Sequence, residues 1–107
     1  MDLIMDIAQI NFPINDNDGA KLMAPLLIQK ELCKQFGGCT AYDGAGSWVN
    51  EHGKLYAEPV KIIQTAFKNN YKNRLFLKNL VKKYGKLSKQ EAVYLAINNK
   101  ADIINIK

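Results

Sequence analysis

Apolar residues recur along this chain at two different spacings, and each change of spacing marks the edge of an element. Residues 3–12 (LIMDIAQINF) place Leu3, Met5 and Ile7 on one side and Ile4, Ala8, Ile10 and Phe12 on the other. That pattern predicts a strand with apolar residues on both faces, hence a central one. Pro13 weakens further pairing, and NDNDG (15–19) has the composition of a loop. The spacing then becomes helical over 20–36. Asp16, Asn17 or Asp18 are candidate caps, but Pro25 sits too deep for the first position of a helix that long. The regular helix is therefore expected to start near Ala24. Ile28, Leu32, Cys33 and Phe36 would face the core, and Gly37-Gly38 would end the helix through a left-handed glycine.

Strand spacing returns at 39–49 (CTAYDGAGSWV), where Gly44 and Gly46 mark a bulge, a bend or a close backbone approach. NEHG (50–53) is a hairpin turn, and 54–67 (KLYAEPVKIIQTAF) is the return strand. Pro59 cannot donate to a ladder, so firm pairing is expected only after it. A second helix over 70–84 carries an apolar stripe of Phe76, Leu77, Leu80, Val81 and Tyr84, and Gly85 is expected to stop it. A strand at 91–97, a turn at Asn98-Asn99 and a short arm at 101–106 complete the chain. The order is β-α-β-β-α-β with an extra terminal strand. This predicts an α+β, ferredoxin-like domain over 1–107: an antiparallel sheet with both helices on one face. Nothing is left to cover the other face, so pairing with a second copy through the sheet is expected, as a dimer or higher oligomer.

Length and charge narrow the function. The chain has 107 residues, the size of one domain. No apolar run reaches the roughly 20 residues of a membrane span. The start carries Asp2 and Asp6 where a secretory leader carries basic residues, so a cytoplasmic protein without a membrane partner is expected. Fifteen Lys and Arg against ten Asp and Glu give a net charge of +5, which favours acidic partners. The excess is local. No acidic residue occurs from 68 to 90, and Arg74, Lys78 and Lys82 form one stripe at i, i+4 and i+8. That stripe is the candidate surface for an acidic host protein, or otherwise an ordinary solvated helix face. Nucleic-acid binding through it is possible but not favoured, because the aromatic strands of an RNA-recognition motif are absent. Cys33 and Cys39 read as reduced thiols. With His52 as the single histidine, they offer no metal site. No cofactor is expected.

The candidate ligand cradle is the segment around Gly44, Gly46 and Trp48, with Tyr42 and Glu58. Glycines let a ligand approach the backbone, a ring offers a stacking face, and a carboxylate accepts hydroxyl or amino hydrogens. A plain hairpin with a glycine bulge beside a packed Trp explains the same residues. Gly44-Ala45-Gly46 lacks the lysine-serine pair of a phosphate loop. No nucleophile–base pair emerges from spacing, so no catalytic residue is assigned.

Phe36-Gly37-Gly38, Gly44-x-Gly46-x-Trp48, Gly53, Glu58-Pro59, Tyr84-Gly85 and Gln90-Glu91-x-Val93 occur here in that order. The combination resembles a group of small uncharacterised domains of bacteria, phages and other mobile elements, over about residues 3–97. The resemblance implies a ferredoxin-like fold and supplies no activity. The chain departs from the group's usual glycine-glutamine before the fourth strand, having Lys89-Gln90. The expectation is thus a phage or mobile-element binding protein without enzymatic activity. It would sequester a small anionic or nucleotide-like ligand, or block a host protein as a counter-defence inhibitor. The alternative is a small enzyme of the dimeric α/β-barrel type, with His52, Tyr42, Glu58 or Glu91 as acid–base candidates.

Overall fold

The computed structural model describes residues 4–106. The elements run β1 (Asp6–Pro13), α1 (Ala24–Phe36), β2 (Thr40–Val49), β3 (Leu55–Phe67), α2 (Tyr71–Leu87), β4 (Ala92–Ile97) and β5 (Lys100–Asn105). They form one antiparallel sheet in the order β2-β3-β1-β4-β5 with two helices, an α+β arrangement compatible with a ferredoxin-like fold. The expected start of the first strand at Leu3 lies outside the described residues.

Alternation along the strands decides which face is buried. Ala8, Ile10 and Phe12 of β1, Ile63 and Phe67 of β3, and Val93 and Leu95 of β4 point to one side and are buried. Ile28 and Leu32 of α1, with Leu77, Leu80, Val81 and Tyr84 of α2, close over that side. Burying each such aliphatic side chain stabilises the fold by about 1.5–3 kcal/mol. Both helices therefore cover the same face, and the opposite face of the sheet is left open. A clamp joins the helices on their outer side. Glu31 of α1 accepts hydrogen bonds from the Tyr84 hydroxyl and from Lys83 Nζ, the latter at 3.1 Å.

Several local expectations change. Met23, not an Asp or Asn, is the N-cap of α1 and makes no side-chain capping bond. Asp16 instead turns its own loop, accepting from the backbone N–H of Asp18 and Ala20. Pro25 falls in the first turn of α1, as a start near Ala24 requires. Gly37 ends that helix at φ +96° with its N–H on the Cys33 carbonyl. Cys33 is exposed rather than in the core, and Phe36 packs at the edge of the core between Phe67 and Phe76.

Gly85 does not end α2. A Cβ there would stand 2.7 Å from Ile106 Cδ1 and 3.2 Å from Val93 Cγ2. The glycine admits the end of the sheet against the helix, which runs on to Leu87. The true stop is a Schellman motif four residues later. The Gln90 N–H bonds to the Gly85 carbonyl and the Lys89 N–H to the Lys86 carbonyl, with Lys89 left-handed at φ +55°.

Pairing of β3 also starts earlier than expected, at Leu55 opposite Val49. Pro59 is tolerated because its carbonyl accepts from the Ile14 N–H, on the side of β1. In an antiparallel strand a residue's N–H lies on the same side as its carbonyl. The missing donor of Pro59 thus points past the end of β1, at Pro13, and the ladder to β2 loses nothing. From that point β2 and β3 continue alone as a two-stranded arm, which draws the molecule out to 53 × 25 × 25 Å.

Candidate functional site

The open face of the sheet can be read row by row from the register. One row crosses all five strands: Tyr42, Ile62, Asn11, Tyr94 and Ile103. The next holds Gly44, Val60 and Pro13. Beyond it Gly46 stands opposite Glu58, and Trp48 opposite Tyr56 on the arm. The rings of Trp48 and Tyr56 stack at 5.4 Å between centroids, 14° from parallel. Along the sheet, Gln64 donates to Gln9 and Gln9 donates to Asn11 Oδ1, at 2.7 and 3.0 Å. That chain occupies the oxygen of the Asn11 amide and leaves its NH₂ group to donate into the space above the row.

A cleft of about 930 Å³ occupies this end of the face. Its arm side is made by Gly46, Trp48 and Glu58, its floor by Asn11, Val60 and Tyr94. The loop after α2 supplies the far wall through Lys89, Gln90 and Glu91. The volume lies within the range of small-molecule sites. Its ionisable groups include two carboxylates, Glu58 and Glu91, and one amine, Lys89. Two aromatic rings border it, Trp48 and Tyr94.

Of the five residues expected to hold a ligand, the structure gathers Gly46, Trp48 and Glu58. Tyr42 is on the same face but outside the cleft lining. Gly44 is outside it too. A Cβ there would lie 2.7 Å from Ile62 Cδ1, so the space over Gly44 is already filled by protein. Over Gly46 a Cβ would meet only Val60 Cγ1, at 3.4 Å. Asn11 and Tyr94 carry no signal of a site in the sequence, and Lys89 stands out there only as a departure from the family pattern. Each is an ordinary strand or loop residue until the register brings it beside the arm. His52 sits at the tip of the arm, where Asn50 organises the turn by accepting from the backbone N–H of His52 and Lys54. Its ring is exposed, 3.5 Å from the Glu51 carboxylate, and it lies outside the lining of this cleft.

The basic stripe is split. Arg74 and Lys78 line a second cleft, between α2 and the β4–β5 hairpin, and Lys82 lies outside it. Among the described residues no group of three or more Cys, His, Asp or Glu could hold a metal ion. Cys33 and Cys39 are free thiols in hydrogen-bond contact, their sulfurs 3.7 Å apart, and Cys39 Sγ also lies 3.7 Å from the Gln29 carbonyl oxygen. Burial is the main cause that pushes the Cys39 thiol up to about 11, with the neighbouring Cys33 adding to it. No helix among the described residues is long and apolar enough to cross a membrane.

Fold and cleft together define a small α+β domain with a cleft of small-molecule size on the open face of its sheet. The chain belongs to the family described as a protein of unknown function (DUF3574), whose model it matches over residues 27–103. No curated protein sequence matches it. Two solved structures share the fold: a phage SAM lyase in complex with S-methyl-5'-thioadenosine, and a phage SAM lyase in the apo state. Each superposes with a TM-score of 0.70 at 16% identity and covers 98% of this chain. The alignments take in 95% and 94% of the two phage chains. At that identity the likeness shows the fold.

The fold is nonetheless one that serves an enzyme, and this overturns the expectation of a non-enzymatic sink or inhibitor. The enzyme alternative is the better supported. The charge of the cleft also departs from what was expected. An anionic ligand would need a basic cradle, whereas Glu58 and Glu91 make this one acidic on balance.

Proposed function

We propose that the protein is a small lyase acting on an adenosyl sulfonium, S-adenosylmethionine or a close analogue, bound in the open-face cleft. The observation that carries the reading is the make-up of that cleft, on a fold shared with a phage SAM lyase. An adenosyl sulfonium presents an adenine ring, ribose hydroxyls, a fixed positive charge on sulfur and an amino-acid tail. Aromatic faces suit the first and the third, through stacking and cation–π attraction. Carboxylates suit the hydroxyls and the sulfonium. The Asn11 NH₂ group suits a ring nitrogen or the carboxylate of the tail.

The chemistry asks little of the protein. When a sulfonium becomes a thioether, one S–C bond breaks and its electron pair stays on sulfur, which loses its charge. If the product keeps its methyl and adenosyl groups, the bond that breaks is the one to the amino-acid tail. Sulfur leaves as a neutral group and needs no acid. The tail must satisfy the carbon left behind, by loss of a neighbouring proton or by attack of its own carboxylate. Positioning and desolvation carry most of such a reaction. Glu58 and Glu91 are the acid–base candidates, and Trp48, Tyr94, Gly46 and Asn11 shape the pocket.

A second copy of the chain completes the site in this reading. The open face and its arm expose Trp48, Val49, Leu55, Tyr56 and Ile103, more apolar surface in one region than a lone domain normally leaves to water.

The test is direct. The purified protein is incubated with S-adenosylmethionine, and S-methyl-5'-thioadenosine is followed by liquid chromatography and mass spectrometry. Product above the uncatalysed rate, lost in Glu58→Gln or Glu91→Gln and reduced in Trp48→Ala, is expected. A folded protein that neither forms the thioether nor binds it at millimolar concentration would sink the proposal. Light scattering tests the second copy: a monomer at assay concentration would remove it from the site.

A further inference from the structure

The second cleft shares no lining residue with the first and is built differently. It has a volume of about 660 Å³. Its floor is apolar, made by Leu75 of α2 with Leu95 and Ile97 of β4. Arg74 and Lys78 stand on one wall, a helical turn apart, and Lys100 stands on the facing hairpin. The ring of Tyr71 lies at the edge and is 72% exposed. Asp102 is the single carboxylate of the lining.

The arginine is held in place without being neutralised. Its Nη1 donates to Asn69 Oδ1 at 2.7 Å, and Asn69 Nδ2 donates to Asp6 Oδ2 at 2.7 Å. A neutral amide thus separates the guanidinium from the nearest carboxylate in the chain of bonds. Arg74, Lys78 and Lys100 form no ion pair among the described residues, while Lys61 and Lys83 do. Three cations around an apolar floor leave the cleft with an excess charge of about +2, counting Asp102 against them.

We infer that this cleft binds a small organic phosphate of the nucleoside monophosphate class. The planar base lies on the aliphatic floor beside Tyr71, and the phosphate meets Arg74, Lys78 and Lys100. A guanidinium matches two phosphate oxygens at once, and the ammonium groups add charge. Asp102 accepts from a ribose hydroxyl or an exocyclic amine. The volume suits one nucleotide. The inference is independent of the lyase reading, because the two clefts are separate and their ligands carry opposite charge where recognition is strongest.

The experiment uses the whole chain, isotope-labelled, and nuclear magnetic resonance titration with adenosine 5'-monophosphate, adenosine and inorganic phosphate. Adenosine monophosphate is expected to shift the signals of Tyr71, Leu75 and Ala101 and to leave the indole N–H of Trp48 in place. Arg74→Gln with Lys78→Gln should weaken it at least tenfold, and both residues are exposed, so the variant folds. Adenosine binding as tightly would refute the role of the phosphate, and inorganic phosphate binding as tightly would refute the apolar floor. Shifts confined to Trp48 and Ala92 would move the ligand to the other cleft and overturn the inference. So would an unchanged affinity in the double variant. Much tighter binding of a single-stranded oligonucleotide, falling steeply with salt, would replace it with a nucleic-acid surface.

Discussion

Replacing Lys89 by glycine should stabilise the protein. Lys89 is the left-handed C′ residue of the Schellman motif that ends α2, at φ +55°. A side chain in that conformation crowds its own carbonyl and costs roughly 1–2 kcal/mol, a cost glycine avoids. Glycine also gives the unfolded chain more freedom, which takes back about 0.5–1 kcal/mol. Lys89 is exposed and forms no ion pair among the described residues, so little else is lost. The net gain is about 0.5–1 kcal/mol. With a urea dependence of about 1–3 kcal/mol per molar, the unfolding midpoint should rise by roughly 0.2–1 M at unchanged slope. Lys89→Ala is the control. It removes the charge and keeps the strained backbone, so its midpoint should stay near that of the parent. An equal rise in both variants would show that the charge, not the backbone, is at work. No rise, or a fall, in Lys89→Gly would refute the conformational argument.

Three further outcomes are expected. Gly44→Ala should destabilise the fold by about 1 kcal/mol, because its Cβ drives into Ile62. Gly46→Ala should leave the urea midpoint nearly unchanged and weaken thioether binding, and the reverse ranking would contradict the placing of Gly46, not Gly44, in the cleft wall. The Glu31 clamp should show in the pH dependence of stability. The Tyr84 hydroxyl and Lys83 hold the Glu31 carboxyl below its ordinary range. Its contribution is full above the unfolded carboxylate pKa and fades as pH falls through the depressed folded value. Lys83 and Tyr84 are both raised by Glu31, so their share is present at neutral pH and fades as pH climbs through their folded values. Glu31→Gln should therefore lower the midpoint at pH 7 and converge on the parent in acid. Finally, iodoacetamide at pH 8 should add to exposed Cys33 well before Cys39, whose thiol is pushed up to about 11 and holds few thiolates there. Equal rates would contradict the burial of Cys39.

Period and turn chemistry made most of the fold legible. The alternation of β1, the apolar stripe of α2 and the glycine after Phe36 each act within a few residues, where sequence determines geometry. What escaped depends on contacts between distant segments. Gly85 looks like a helix stop until Ile106 is seen to pack on it. Pro59 looks like a break until the end of β1 shows which way its nitrogen points. The site behaves the same way. Gly46, Trp48 and Glu58 lie on one hairpin and could be grouped from sequence. Asn11 and Tyr94 join them only through strand register, and Lys89 only through the end of α2. The charge run on α2 could not reveal that Lys82 leaves the company of Arg74 and Lys78, because that depends on where the β4–β5 hairpin ends.

The β2–β3 arm also separates two kinds of stability within one chain. Trp48 and Glu58 sit on a ribbon beyond the reach of either helix, held by cross-strand bonds and one stacked ring pair. A two-stranded ribbon without a core behind it opens far more readily than the sheet it grows from. Amide hydrogens at Gly46, Trp48 and Tyr56, which face the partner strand, should therefore exchange with solvent long before those of Ile10 or Ile63. A ligand or second copy that grips the arm would slow that exchange and barely move the melting temperature of the body. Part of its binding energy would go into ordering the ribbon, so affinity at this site reports how well the arm is preformed as much as how well the pocket fits.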